Sequence, residues 1–289
     1  MDTFRPQLCK HLHLELEKRT PNIQHDYMVT EKVDGIYAYA TYSTTTGWSN
    51  IYSRAHRELP SMLHCKELYL DTLAKPPEDC RLLMEAYIPD TKFHITNGIF
   101  NRSTGDYKAN DVHFIVHDII PLTTPLPALT RFKAISSLQF NSPRMQRAEL
   151  LLVSSDIDLW KRCFDKVINA GGEGIVLKQA DGLYQPGKRN SSLLKIKEEI
   201  EADLLCTELY YTIGEKGNSN MNLILVSKAG VETTVRVAKH EDIEEFERDN
   251  TSVVGQVVKI KAMKRLEGGK FREPRFDYVR EDKESWDID

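Results

Sequence analysis

The sequence predicts an α+β fold in two domains. Strand-like and helix-like runs are mixed irregularly up to about residue 198, and short strand-like runs dominate beyond it. The acidic stretch Glu198-Glu199-Ile200-Glu201-Ala202-Asp203 falls between the two regimes. A parallel, doubly wound sheet would require a regular alternation of strands and helices, and none is visible. The expected domains are therefore 1–198 and 199–289, each long enough to bury its own core.

Taken in order, a helical pattern covers 7–18, and residues 27–42 read as a strand, a turn at Asp34-Gly35 and a second strand with aromatics at Tyr37, Tyr39 and Tyr42. Lys32 thereby falls at a strand end, beside the turn. A strand at 49–53, a helix at 61–73 closed by Pro76-Pro77, and strands at 81–88 and 112–120 follow. Prolines from Pro121 to Pro127 break the chain before helices at 126–138 and 156–169 and a strand at 174–178. The second domain offers strands at 203–212, 221–228, 231–237, 253–263 and 275–280, with a helix at 240–249. Five strands and one helix are what a small oligonucleotide-binding (OB) barrel requires.

Composition bounds the rest. Hydrophobic residues make up 40% and charged residues 28%, with no apolar run long enough for a membrane span, so a soluble protein with no membrane partner is expected. Met1-Asp2-Thr3-Phe4-Arg5-Pro6 lacks the basic-then-apolar layout of a secretory signal. The five cysteines are scattered, with no Cys-x-x-Cys pair, which fits a reducing cytosol and argues against a structural zinc or disulfides. His11 and His13 have no carboxylate or cysteine at ligand spacing. A net charge of -4 gives no global sign of a nucleic-acid binder, but the nine Lys/Arg against five acids between Lys259 and Lys283 hint at phosphate contacts.

Four segments carry chemistry: Glu31-Lys32-Val33-Asp34-Gly35, Glu173-Gly174-Ile175-Val176-Leu177-Lys178, Leu194-Lys195-Ile196-Lys197 and Arg280-Glu281-Asp282-Lys283. A protonated lysine is a poor nucleophile, and its ordinary pKa of about 10.4 leaves little neutral amine at pH 7. Crowding Lys32 with Lys178, Lys195, Lys197 and a metal ion would favour the neutral amine and clamp a polyphosphate as well. Attack on an α-phosphate with pyrophosphate leaving in line is then mainly a matter of positioning and charge. Asp34, Glu85 and Glu173 could supply oxygen ligands for Mg²⁺ or acceptors for a ribose.

On these residues the chain resembles the ATP-dependent DNA ligases of the small, viral or phage kind, from about Pro6 to Lys283. The resemblance implies a nucleotidyltransferase (adenylation) domain followed by an OB-fold barrel. It makes Lys32 the residue that carries AMP and places Thr30 near adenine. It gives Arg54, in Ser53-Arg54, a contact to AMP or the nick phosphate, and assigns Glu85 to the ribose. His117, in His117-Asp118, stands where a phenylalanine stacks on adenine. Glu173 to Lys178 matches a metal-binding motif, with Glu173 and Asp34 as Mg²⁺ ligands, and Lys195 and Lys197 match a phosphate-binding one. Arg280 and Lys283 resemble a terminal motif that orients pyrophosphate. A basic residue near the nucleotide is matched by Lys188 or Arg189. The implied reaction takes AMP from ATP onto Lys32, passes it to a DNA 5′-phosphate and seals the strand in repair, replication or recombination. A monomer in the cytoplasm is expected, or in the host's if the chain is viral.

Two departures stand out. Tyr37 replaces an arginine five residues after the lysine, and His117 replaces the phenylalanine, which could make stacking weaker and pH-dependent. Where some relatives insert a long hairpin latch, only Ile213 to Asn220 is available. The rivals are an RNA ligase and a GTP-dependent mRNA-capping guanylyltransferase. Against the second stands Glu173-Gly174, where capping enzymes usually have Asp-Gly. A catalytically dead nucleic-acid-binding module is opposed by the intact Lys32, Glu173, Lys195 and Lys197.

Overall fold

The computed structural model describes residues 4–91, 93–102, 111–214 and 217–289, without the side chains of Phe93 and His94. The chain divides into a unit ending at Ile196 and a second from Lys197 to Asp289, slightly ahead of the expected boundary at 198/199. The acidic stretch is no linker. Glu199, Glu201 and Asp203 alternate with Ile200, Ala202 and Leu204, and the apolar set enters the second unit's core, so the stretch opens the strand Ile200–Ile213.

The first unit holds two sheets. In the first, the order is Leu8–His11, Arg189–Lys197, Gly174–Gln179, Tyr27–Glu31 and Leu150–Ser154. One face packs on the helix Ile157–Asn169, burying Trp160 and Val167 against Tyr27, Val29, Ile175, Leu177 and Leu194. Asp156 caps that helix, its carboxylate accepting from the backbone N–H groups of Asp158 and Leu159. The second sheet runs Gly47–Trp48, Ile36–Ser43, Cys80–Tyr87, His113–Pro121 and Met145–Arg147, with Tyr52–Ser53 also pairing onto Ile36–Ser43. Its outer face forms the largest core, with Ala38, Leu82, Met84, Phe114 and Val116 against Met62, Leu70, Phe100, Phe132 and Ile135.

Several expectations are corrected. The 7–18 stretch is not one helix: Leu8–His11 is a strand parallel to Arg189–Lys197, and only His13–Leu16 is helical. Long-range pairing overrides local propensity there. The 27–42 segment is strand, turn and strand, yet its strands belong to different sheets. Gly35 makes the crossing, and a side chain there would meet the carbonyl oxygen of Ala86 at 2.6 Å. The 49–53 strand shrinks to Tyr52–Ser53, and 61–73 is a run of short helical turns from Pro60 to Leu70. The strands Leu150–Ser154 and Arg189–Lys197 and the helix Phe93–Phe100 were not foreseen.

The second unit is an antiparallel sheet ordered Glu232–Arg236, Ser219–Val226, Ile200–Ile213, Val257–Ala262 and Arg275–Val279. The helix His240–Arg248 buries Phe246 in its core. This matches the expected inventory. In the Ile213 to Asn220 segment, Glu215 and Lys216 lie outside the described residues. Among the described residues no helix is long and apolar enough to cross a membrane.

Candidate active site

Strand register explains why Lys32 meets Glu173. Glu31 pairs with Ile175 across antiparallel strands, so the next residue in one chain direction is Lys32 and in the other Gly174 and then Glu173. The Lys32 backbone N–H donates to the Gly174 carbonyl at 2.8 Å, and Lys32 Nζ lies 2.5 Å from Glu173 Oε2. The nearest charged partner of the amine is an acid. That ion pair must part before the amine can attack.

Alternation aims the other lysines. Leu177, Leu194 and Ile196 enter the helix-side core, which turns Lys178, Lys195 and Lys197 to the opposite face of the same sheet. Thr30 is buried, opposite Val176. Lys178 spans to the second sheet, donating to the His117 carbonyl at 2.5 Å and to Asp118 Oδ2 at 3.0 Å. Asp118 can meet it because the register slips there: Met84 pairs with Val116 and Leu83 with Asp118, which leaves His117 as an extra, bulged residue. Arg131 completes the group, with Nε and Nη2 donating to Asp118 at 2.8 and 3.1 Å. Burial would raise the Asp118 carboxyl, but Lys178 and Arg131 outweigh it and hold it at about 2. Asp118 is thus a buried anchor for Lys178.

His117 is pushed down to about 3, by burial first and by the Lys178 cation second. Its ring is therefore neutral across physiological pH, which corrects the expectation that stacking on it would vary with pH. The ring lies 5.9 Å from that of Tyr37.

Tyr37 pairs in register with Glu85, and the guanidinium of Arg54 sits 5.2 Å from the Tyr37 ring centroid. The Tyr37 hydroxyl is buried, which together with the neighbouring Tyr184 phenol raises it well above the ordinary tyrosine value. Ser53 shapes the turn that presents Arg54: its N–H donates to the Arg57 carbonyl, and its carbonyl accepts from the His56 N–H. Glu85 is pushed up to about 7 by burial, with Glu173 and Asp34 adding to the rise and Lys32 and Arg54 opposing it. Those five side chains therefore share one electrostatic neighbourhood. Cys9, which sequence reasoning passed over, belongs to it too. Burial raises its thiol while Lys195, Lys32, Arg54 and Lys178 pull it back.

The Glu85 shift carries a testable sign. A carboxyl whose folded-state pKa is raised costs stability as pH climbs from about 4.5 to about 7, since the folded form keeps a proton that the unfolded form has lost. Glu85→Gln should raise the melting temperature at pH 8 by a few degrees and leave it unchanged near pH 4; an equal gain at both values would contradict the assignment.

In the second unit, Lys197 Nζ lies 2.9 Å from Glu273, while Arg280 and Lys283 both engage Asp203. The basic strip is largely neutralised. At least five of its nine cations are paired: Lys259 with Glu201, Lys261 with Asp277, Arg275 with Glu199, and Arg280 and Lys283 with Asp203. Arg189 donates to the Cys9 carbonyl at 3.1 Å, and Lys188 lies exposed beside it.

No group of three or more acidic, histidine or cysteine side chains able to hold a metal occurs among the described residues. Mg²⁺ usually takes one or two carboxylates and completes its shell with water and substrate phosphates. Glu173 and Asp34, both close enough to raise the neighbouring Glu85, are the two carboxylates that could serve such an ion.

The chain is similar to several known proteins. The family model described as the ATP dependent DNA ligase domain matches residues 6–197. "DNA ligase 4" of Candida glabrata is 26% identical over 245 residues, covering 78% of this chain and 24% of that protein. "DNA ligase" of Enterobacteria phage T4 is 29% identical over 164 residues, covering 50% of this chain and 33% of that one. The chain thus spans about a quarter to a third of the length of these curated relatives. Among solved structures, a Lig E DNA ligase studied for DNA binding with a minimal scaffold superposes with a TM-score of 0.72 at 21% identity, covering 96% of this chain and 99% of that one. The ATP complex of the bacteriophage T7 ATP-dependent DNA ligase gives 0.57 at 17%, covering 96% and 99%. At such identities these two likenesses concern the fold.

Proposed function

The chain belongs to the ATP-dependent DNA ligase family, and from that membership we propose that it seals nicks in duplex DNA with ATP and Mg²⁺, as a monomer, through AMP carried on Lys32. The observation that carries this reading is Lys32 held against Glu173, in the same neighbourhood as Arg54, Asp34 and Glu85. In the first step the neutral Lys32 amine attacks the α-phosphorus, the bond to pyrophosphate breaks, and the amine's surplus proton leaves to solvent. A DNA 5′-phosphate oxygen then displaces the lysine, and a 3′-hydroxyl finally displaces AMP to close the strand.

The residues divide the work. Glu173 keeps Lys32 at the reacting point until the ion pair opens, and Arg54 and Lys195 neutralise phosphate charge. Lys178 and Lys197 add to that neutralisation, Thr30 and His117 flank the base, and Glu85 accepts from the ribose. Asp34 and Glu173 would hold Mg²⁺, which supplies charge neutralisation at the phosphates. Arg280 and Lys283 orient pyrophosphate as it departs.

Incubation with Mg²⁺ and each labelled nucleoside triphosphate in turn, followed by denaturation, tests the reading. Label retained from ATP, and release of that label on adding nicked DNA, is the expected result. Retention from GTP alone would point to a guanylyltransferase, and transfer only to nicked RNA would point to an RNA ligase.

The paired cations of the barrel bear on DNA affinity. Because at least five of the nine already have acidic partners, the strip displaces fewer counterions than its cation count suggests, and the chain's net charge of -4 adds no long-range attraction. Weak binding to nicked duplex is expected, with log affinity falling against log salt by a slope no steeper than about -4. A slope twice as steep would show that the acids release their partners to DNA.

A further inference from the structure

Arg280 and Lys283 share a single acceptor. Nη1 of Arg280 donates to Asp203 Oδ2 at 2.8 Å, and Nζ of Lys283 lies 3.1 Å from the same oxygen. Two cations brought this close repel one another, and the carboxylate between them compensates. Asp282 takes the other edge of the guanidinium, accepting from Nε and Nη2 at 2.7 Å each in a parallel fork, and Arg280 in turn holds that carboxyl at about 2. A guanidinium has five N–H donors. Three are engaged in aiming it, and one remains on each of Nη1 and Nη2.

Asp203 is itself fixed. It is 8% exposed, its backbone N–H donates to Asp289 Oδ2 at 2.7 Å, and its carbonyl accepts from the Asp289 N–H at 2.9 Å. The Asp289 carbonyl accepts from Lys228 in turn. The strand around Asp203 is locked in register with Val257–Ala262, Asp203 facing Lys259. Lys283 Nζ also donates to the Asp287 carbonyl at 3.3 Å, so of its three N–H groups one is left over, and a rigid carboxylate stands behind two cations that each keep a donor for an anion.

We propose that Asp203 is the positioning residue of the pyrophosphate-orienting pair: it holds Arg280 and Lys283 side by side, so that their leftover N–H groups meet a diphosphate. This rests on the reading that Arg280 and Lys283 act on the departing pyrophosphate. Asp203 does not touch the reacting atoms, and it acts through the two cations. Sequence reasoning missed it because it sits in a stretch rich in acids, where one carboxylate resembles the next.

Asp203→Asn keeps the shape and removes the charge. Adenylylation by ATP should lose about 10- to 100-fold in kcat, with KM for ATP close to wild type, while sealing of a pre-adenylylated nick is unchanged. On an Arg280→Ala background the same substitution should add little, since the two act as a unit. Unchanged adenylylation overturns the proposal. So does a lower KM at undiminished kcat, which would make Asp203 a competitor of the phosphates, and so does an equal loss in both assays, which would make its role one of folding. Arg280→Ala and Lys283→Ala in the same two assays separate the levels. Should neither slow adenylylation selectively, the pyrophosphate reading itself falls; should both do so while Asp203→Asn does not, only the positioning role falls.

Discussion

Lys32→Ala and Lys32→Arg are both expected to abolish covalent transfer of AMP, while the protein stays folded. Lys32 follows the strand Tyr27–Glu31 and is held there by its backbone N–H to Gly174, a bond that any side chain preserves. Alanine removes the nucleophile. Arginine keeps the positive charge beside Glu173 but has no neutral amine to offer, since a guanidinium does not deprotonate in a protein. The comparison therefore separates charge from nucleophilicity. A label from ATP that survives denaturation on either variant, at the wild-type rate, would move the attachment to another residue. Sealing of a nick that already carries AMP should survive better than the first step, because Lys32 has handed on its cargo by then.

Asp118→Ala should cost about 3–5 kcal/mol of stability. The carboxylate is buried between Arg131 and Lys178, and its loss leaves both cations without their shared partner. Asp118→Asn should cost less, as it retains an acceptor for Arg131. The pH dependence follows from the direction of the shift. The folded-state carboxyl titrates at about 2 against an ordinary value of 3.8, so its contribution is complete above about pH 4 and is lost as pH falls toward 2. At roughly 1.4 kcal/mol for each unit, that is on the order of 2–3 kcal/mol. Acid titration of the melting temperature should show this loss in the wild type and lack it in Asp118→Asn; matching acid profiles would reject the buried triad as a source of stability.

Most of what surrounds Lys32 was legible in the sequence because it depends on short-range pattern. Alternation in Leu194-Lys195-Ile196-Lys197 fixes which face each lysine takes, and Asp34-Gly35 marks the turn through steric need alone. Pairing across long separations was not legible. Nothing local tells Leu8–His11 that a partner strand waits at 189–197, so its periodicity read as a helix. The bulge at His117 was hidden for the same reason: it is a relation between two strands, and without it Asp118 would not be expected to face Lys178. Charge pairing in the second unit was equally invisible, since a count of lysines says nothing of the acids on the strand alongside.

The first sheet draws its strands from residues 8–11, 27–31, 150–154, 174–179 and 189–197, so its neighbours in space are made far apart in time on the ribosome. Until the strand Arg189–Lys197 has emerged, Leu8–His11 has no partner and Gly174–Gln179 has an open edge. The closure of such long loops makes assembly of this sheet slow. The second unit has a sheet whose strands mostly pair with sequence neighbours, so it can form soon after it is synthesised. Refolding from denaturant should therefore show a fast phase reporting the second unit and a slower one reporting the first, with nucleotide-binding competence appearing only in the slower phase. The unpaired strands present during that interval are the segments through which nascent or heat-stressed chains would aggregate.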